Sequence, residues 1–359
     1  MEQNISIQDL LNKTVENNAS DLHIVAGFKP ILRINGALRQ IEDYPELTKE
    51  LTGKLIFELL TQEQQEIVMA NRSLDFSYGF GSGNYGDKGR FRVNAFFQRD
   101  TLAASLRLLP ATVRTIEQLK LPDMCHAFAS LKQGFVLVTG PTGHGKTTTI
   151  ASMVNEINMT RSENIITIED PIEYVYSRGK SIISQREIGQ DTHSWNEALK
   201  SILREDPNVV VIGEMRDPES ISSAITIAET GHLVFSTLHT NSASQSIDRI
   251  IDSFPQAQQN QVRIQLSSAL AGILSQRLIP SVNGTRVVAS EILIATNAIR
   301  SNIREAKTHL IDSIIETSTD VGMMSMEHSL ATLVKSGSIT LETAKGYVLR
   351  PDLFDRLIG

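Results

Sequence analysis

The octapeptide Gly140-Pro-Thr-Gly-His-Gly-Lys-Thr147 constrains this chain more than any other segment. It fits G-x-x-x-x-G-K-[ST], and its surroundings are the ones that pattern needs. The apolar run Phe135–Thr139 precedes it as a strand, and a helix over 146–158 follows. Glycines at Gly140, Gly143 and Gly145 let backbone N–H groups wrap an anion without Cβ clashes. Lys146 offers a point charge to β- and γ-phosphates, and the Thr147 hydroxyl can ligate magnesium. The helix contributes the positive end of its dipole to the same anion. Pro141, Thr142, His144 and Thr148 complete the loop as contacts to a bound nucleoside triphosphate. His144 occupies a free position of the pattern and reads as tolerated, not catalytic.

A strand, a phosphate loop and a helix commit this part of the chain to a parallel α/β sheet. The segments that follow agree. Near-continuous apolar runs at 165–168, 209–212 and 233–238 alternate with helical patterns at 194–205 and 217–229. Such runs are buried on both faces by helices. Ligands of parallel sheets bind beyond the strands' carboxyl ends. Three clusters fall there: Glu169-Asp170-Pro171, Gly213-Glu214 and His239-Thr240. Phosphoryl transfer needs positioning, charge neutralisation and a group that orients the attacking water. Glu214 is the first choice for that group and Glu169 the second; both could also join Thr147 at the metal. Blander roles stand beside these: Glu214 paired with Arg216, Asp170 as a turn residue, His239 as a core histidine. His232 reads as a helix-end residue one strand length from His239. An arginine should stabilise the transition state. Arg92 and Arg107 are candidates, and Arg204 could serve within its own chain.

The first 109 residues carry a different pattern. Helices are expected over 7–17, 48–60 and 62–70, with Thr61 and Gln64 as a capping box. Short strands are expected at 22–25, 30–34, 75–78, 90–98 and 103–108, with Asn35-Gly36 as a hairpin turn. The glycine-rich segment 79–89 reads as a loop. Lys88, Arg90, Arg92 and Arg99 form a local basic cluster or a solvated strand face. Residues 1–109 are thus a mostly antiparallel α+β domain, 110–116 a linker and 117–359 the ATPase domain. The stretch 256–359 is expected to be largely helical, apart from a strand pair near 286–294.

Composition narrows the function. The 359 residues are 41% hydrophobic and 21% charged, with a net charge of −7. An acidic balance argues against a broad nucleic-acid footprint. One cysteine, Cys125, excludes an internal disulfide and a cysteine-rich zinc site. No apolar run approaches the roughly 18 residues of a membrane helix, and no secretory signal is visible, which fits the cytoplasm.

At this point the chain resembles the secretion-type ATPases of the type II/type IV superfamily, and within it the pilus retraction motors of the PilT type. The matching blocks are Gly140–Thr149, Ile166–Glu173, Ala198–Pro207, Val211–Asp217 and Ser236–Ala243. Ala19–His23, Gly89–Asn94 and Ala298–Glu305 match as well. The resemblance implies a RecA-like P-loop domain with C-terminal helices, preceded by a smaller PAS-like α+β domain. It places Glu169 and Asp170 in an aspartate box, Glu214 on an atypical Walker B strand, and His232 and His239 in a histidine box. It casts Arg92 and Arg107 as arginines that the N-terminal domain presents to ATP. It further implies a homohexameric ring in which each N-terminal domain packs on the next subunit. The ring docks on an inner-membrane platform protein at the cytoplasmic face, strips pilin from the fibre base, and has a second retraction ATPase as a further partner. Retraction is favoured over extension or secretion because the chain lacks their extra N-terminal domain and four-cysteine zinc module. His144 in place of the usual serine, the segment Gln98–Ser105 and Lys200 depart from the family pattern. An accessory retraction ATPase, a nucleic-acid translocase and a nucleotide-binding scaffold are the alternatives.

Overall fold

The computed structural model describes residues 5–81, 89–110, 112–215 and 217–359. Lys88 and Arg216, both named above, lie outside the described residues, as do 82–88 of the glycine-rich segment. The chain divides into two compact units, Met1–Thr112 with Asp170–Val175, and Val113–Glu169 with Tyr176–Gly359.

The first unit is built on six antiparallel strands: β1 (Asp21–Ile24), β2 (Ile31–Ile34), β3 (Ala37–Gln40), β4 (Ser73–Phe80), β5 (Gly89–Gln98) and β6 (Thr101–Leu109). Their order is β3-β2-β1-β6-β5-β4. Asn35 and Gly36 turn β2 into β3 with φ of 50° and 83°, the left-handed geometry that a two-residue hairpin demands. Thr61 and Gln64 close the capping box over Gln62–Asn71. Alternation along β5 buries Phe91, Val93 and Ala95 with Leu10, Leu22, Leu55 and Leu106. It leaves Arg90, Arg92 and Asn94 on the other face. Arg99 sits in the β5–β6 turn instead, with φ of 46°. Arg99 therefore does not share the strand face of Arg90 and Arg92. Register lines up a polar row across the sheet: Arg33 opposite Asp21, Asp21 opposite Arg107, Arg107 opposite Arg92, and Arg92 opposite Ser77. Gly79, Phe80 and Gly89, expected in a loop, belong to β4 and β5.

The second unit carries seven strands: β7 (Gly134–Thr139), β8 (Asn164–Glu169), β9 (Ile182–Glu187), β10 (Val209–Ile212), β11 (Leu233–Leu238), β12 (Leu270–Pro280) and β13 (Arg286–Ile294). Their order is β13-β12-β7-β11-β10-β8-β9, and every pairing is parallel except β12 with β13. The apolar runs of β7, β8, β10 and β11 are buried on both faces. One face packs on Ile221, Ile225, Ile247 and Leu266; the other packs on Ile150, Met153 and Ile157 of the helix Lys146–Thr160.

The structure departs from the local sequence pattern at two strands. The segment 270–280 is an eleven-residue strand, not a helix. It pairs with β7 on one side and β13 on the other. The strand pair sought near 286–294 is therefore β12 with β13. Leu, Ala, Gln and Arg favour helix locally, but pairing on both edges of a buried strand outweighs that preference. The edge strand β9 has no forecast counterpart. Its polar centre, Ser184-Gln185-Arg186, lacks an apolar run.

Candidate nucleotide site

β7 ends at Thr139 and the chain turns through Gly140–Gly145 into the helix Lys146–Thr160. Gly140 adopts φ of 143°. A Cβ there would stand 2.3 Å from the Gln276 carbonyl oxygen of β12, so the pressure of the neighbouring strand requires glycine. Lys146, though charged, is buried. Its Nζ donates to the carbonyls of Gly140 at 2.9 Å and Pro141 at 3.1 Å. These bonds curl the lysine back over the loop, where an anion's oxygens would sit. Thr147 and Thr148, both half-buried, occupy the first turn of the helix.

Beside β7, in the sheet order β7-β11-β10-β8, the carboxyl ends of the next three strands carry His239, Glu214 and Glu169. His239, just past β11, brings Nδ1 to 3.3 Å from Lys146 Nζ and 3.2 Å from Thr142 Oγ1. An ammonium can only donate, so Nδ1 is the acceptor and the ring hydrogen lies on Nε2. That nitrogen stands 3.6 Å from Glu214 Oε2. Lysine, histidine and carboxylate thus form a chain of contacts from the phosphate loop to the end of β10. Ser236 Oγ donates to the Ile212 carbonyl and Thr237 Oγ1 to that of Gly213, which ties β11 to the turn that carries Glu214. Glu169, at the end of β8, is buried and accepts from Thr167 Oγ1 at 2.6 Å and Gln185 Nε2 at 3.1 Å. Asp170 follows it, exposed, ahead of Pro171.

Two candidates fall elsewhere. Arg204 follows the helix Trp195–Ile202 and is exposed. Helices of a parallel sheet run back against the strands, so this one returns the chain to the sheet's amino edge. There Asn164, at the start of β8, donates to the carbonyls of Glu205 and Asp206. Arg204 is a strand length from its own phosphate loop and cannot serve it in cis. His232 lies at the amino end of β11, where its carbonyl accepts from Gly134 N–H and its Nδ1 donates to the Ile227 carbonyl. Within its own chain it caps a helix end instead of contacting the loop. Arg92 and Arg107 belong to the first unit. Arg107 Nε is 3.1 Å from Asp21 Oδ1 and Arg33 Nε is 3.7 Å from Oδ2. Arg92 Nη1 is 3.6 Å from Glu173 Oε1.

Sequence reading missed Gln276. Its buried side chain donates from Nε2 to the His144 carbonyl at 2.6 Å and accepts from Thr149 Oγ1 at 2.8 Å. His144 itself is turned to β12, where Nδ1 accepts the Leu278 N–H at 2.9 Å. Burial, then the charges of Arg277, Lys146 and Arg286, lower its pKa. No motif marks these contacts, and the local pattern of 270–280 reads as helix.

Residues 2–320 match the family model of the type II/IV secretion system proteins. The chain belongs to that family. Within it, this secretion-family member is 44% identical to a twitching motility protein of Neisseria gonorrhoeae, over 95% of this chain and 90% of that one. It is 42% identical to the type IV pilus retraction ATPase PilT of Pseudomonas aeruginosa, over 98% of this chain and all of the other. A crystal structure of the pilus retraction motor PilT with bound ADP superposes with a TM-score of 0.90 at 47% identity, covering 98% of this chain and 99% of that one. The two-unit α/β architecture of the secretion-family chain is therefore that of a solved relative.

Proposed function

We propose that this chain is an ATP-hydrolysing motor that powers retraction of type IV pili. The observation that carries the reading is the match, at full length, to a protein named as a pilus retraction ATPase. The phosphate loop, Lys146, Glu169, Glu214 and His239 at one sheet edge give it a chemical basis.

Loop N–H groups and Lys146 hold the phosphates, and Glu214 orients or deprotonates the attacking water, with Glu169 as the second choice. His239 hands its Nε2–H toward Glu214 and its Nδ1 toward Lys146, and so responds to charge at both. Magnesium fits the donor set. Among the described residues no group of three His, Cys, Asp or Glu side chains is placed to hold a metal. Magnesium favours one or two protein oxygens beside phosphate and water. Thr147, Glu169 and Glu214 supply such oxygens. The ion would neutralise charge on the transferred phosphoryl group.

Arg92 and Arg107 would act on ATP in trans, from the N-terminal domain of a neighbouring subunit in a homohexameric ring. The ring would work at the cytoplasmic face of the inner membrane, against a platform protein. No helix among the described residues is long and apolar enough to cross a membrane.

The test is complementation between Glu214→Ala and Arg92→Ala, each expected to lose most ATP turnover alone. Mixed, they should recover part of it, because a ring of both variants contains some intact sites. No recovery between oligomeric variants would overturn the shared site. A wild type that turns over ATP yet fails to restore retraction to cells lacking their motor would overturn the motor itself.

A further inference from the structure

A second cluster of charge lies outside the nucleotide site, and the chemistry above does not use it. Arg350 stands just before the helix Pro351–Ile358. Its Nε and Nη2 donate to Glu327 Oε2 at 3.0 and 2.8 Å. Its Nη2 also reaches Glu291 Oε2 at 3.3 Å, and Nη1 reaches Glu316 Oε1 at 2.9 Å, with Asp312 Oδ2 at 4.0 Å. Glu327 is fully buried and Glu291 is 1% exposed. The remaining Glu327 oxygen accepts the N–H groups of Leu349 and Arg350. One arginine thus gathers carboxylates from β13 and from the helices Ile311–Thr317 and Met326–Lys335. Removing one partner of such a set leaves buried charge uncompensated.

What makes this more than a staple is the other oxygen of Glu291. Oε1 accepts the Ala243 N–H at 2.8 Å. Ala243 opens the helix Ala243–Asp252, and only His239, Thr240, Asn241 and Ser242 separate it from β11. The histidine segment is therefore a four-residue span fixed at one end by a strand and at the other by Glu291. A second connection runs through the sheet. Glu291 pairs with Ser275 of β12, and Ser275 pairs with Thr139 of β7. The hydroxyls of Ser275 and Thr139 are 2.8 Å apart, one residue before the phosphate loop.

We propose that Arg350 and Glu291 are positioning residues that hold His239 in place, so that docking of the C-terminal helix completes the nucleotide site. Phe354 anchors that helix, fully buried against Ile279, Ala289 and Met326. When the helix is seated, Arg350 neutralises Glu291 and Glu327, and Glu291 stays close enough to accept from Ala243. When it lifts, Glu291 and Glu327 are left buried without a counter-charge, so each must turn toward water or take up a proton, which burial already favours at Glu291. The span that carries His239 then loses its downstream anchor.

The proposal rests on ATP hydrolysis by this chain. The test is steady-state turnover by the full-length protein, with ATP and magnesium, for wild type, Arg350→Gln, Glu291→Ala, Glu291→Gln and His239→Ala. A displaced catalytic group lowers kcat more than it weakens binding, so Arg350→Gln and Glu291→Ala should lose about tenfold in kcat, with KM for ATP changed by no more than about twofold. Glu291→Gln keeps an acceptor for Ala243 and should recover to within about threefold of wild type. Residues that act through one another are not additive. Adding Arg350→Gln to His239→Ala should therefore cost no further turnover. Phe354→Ala loosens the helix by another route, and it should show the same kcat loss if Arg350→Gln fails to fold. Fully multiplicative losses, an unchanged kcat, or a loss carried by KM would each overturn the positioning role. An inactive wild type would instead remove the ATPase reading on which it stands.

Discussion

Gln276 and His144 carry the most information per residue about how the phosphate loop is held. Gln276 satisfies one backbone carbonyl and one hydroxyl in a buried setting. Gln276→Ala should lower stability by about 1–3 kcal/mol, because both partners lose their bond away from water. It should also raise KM for ATP, since the loop it steadies forms the phosphate cradle. Urea denaturation and ATP titration of turnover check this, and an unchanged KM would limit Gln276 to stability. His144 gives a pH prediction. Its Nδ1 can accept the Leu278 N–H only while the ring is neutral. Burial lowers its pKa from the ordinary 6.5, so the folded protein binds that proton less readily than the unfolded chain. The stabilising contribution is full above 6.5 and is lost as pH falls through the lower folded value. His144→Ser should therefore lose less stability than wild type between about pH 7 and pH 5, as seen by thermal melts. A parallel decline in both proteins would rule the ring out as the source. That Lys146, Glu214 and His239 lie together was legible, because fixed spacing and strand ends mark them. Gln276 was not, since its partners are 127 and 132 positions away in the chain.

At the scale of elements, β12 decides how the site is built. It joins an antiparallel ribbon to a parallel sheet and sets Gln276, Leu278 and Ser275 beside the loop. Its Gly272 faces Phe128, whose ring atoms would be 2.4 Å from an added Cβ, with the Leu293 carbonyl at 2.9 Å. Gly272→Ala should destabilise the protein by about 1–3 kcal/mol through overpacking. Chemical denaturation measures it, and a neutral result would mean that Phe128 swings aside at little cost. The elements with strong local signals matched their expected places: β7, β8, β10, β11 and the capped helix Gln62–Asn71. β9 and β12 did not, because each is a strand by virtue of its neighbours.

For the whole molecule, the net charge of −7 carries a prediction. A chain with this balance has little long-range attraction for a polyanion. Single- or double-stranded nucleic acid should leave ATP turnover unchanged at physiological salt, in a coupled ATPase assay. Strong stimulation would favour the translocase reading. Arg33, Arg92 and Arg107 of the first unit are compatible with this charge because each has a carboxylate beside it. Arg107 and Arg33 flank Asp21, and Arg92 faces Glu173. Their basic field is therefore local.

The sequence by itself determined the phosphate loop, the parallel sheet around it, the antiparallel character of the first unit and the carboxylates at the strand ends. Each rests on interactions between residues close in the chain: strand into glycine turn into helix, and apolar period within one element. Only the tertiary structure decided that 270–280 is a strand, that Arg204 and His232 lie at the edge of the sheet away from their own loop, and that Arg350 meets Glu291. Helix direction and strand order place those residues, and both are set when the whole core closes. Burial and pairing across more than a hundred residues of chain then outweigh what any short window prefers.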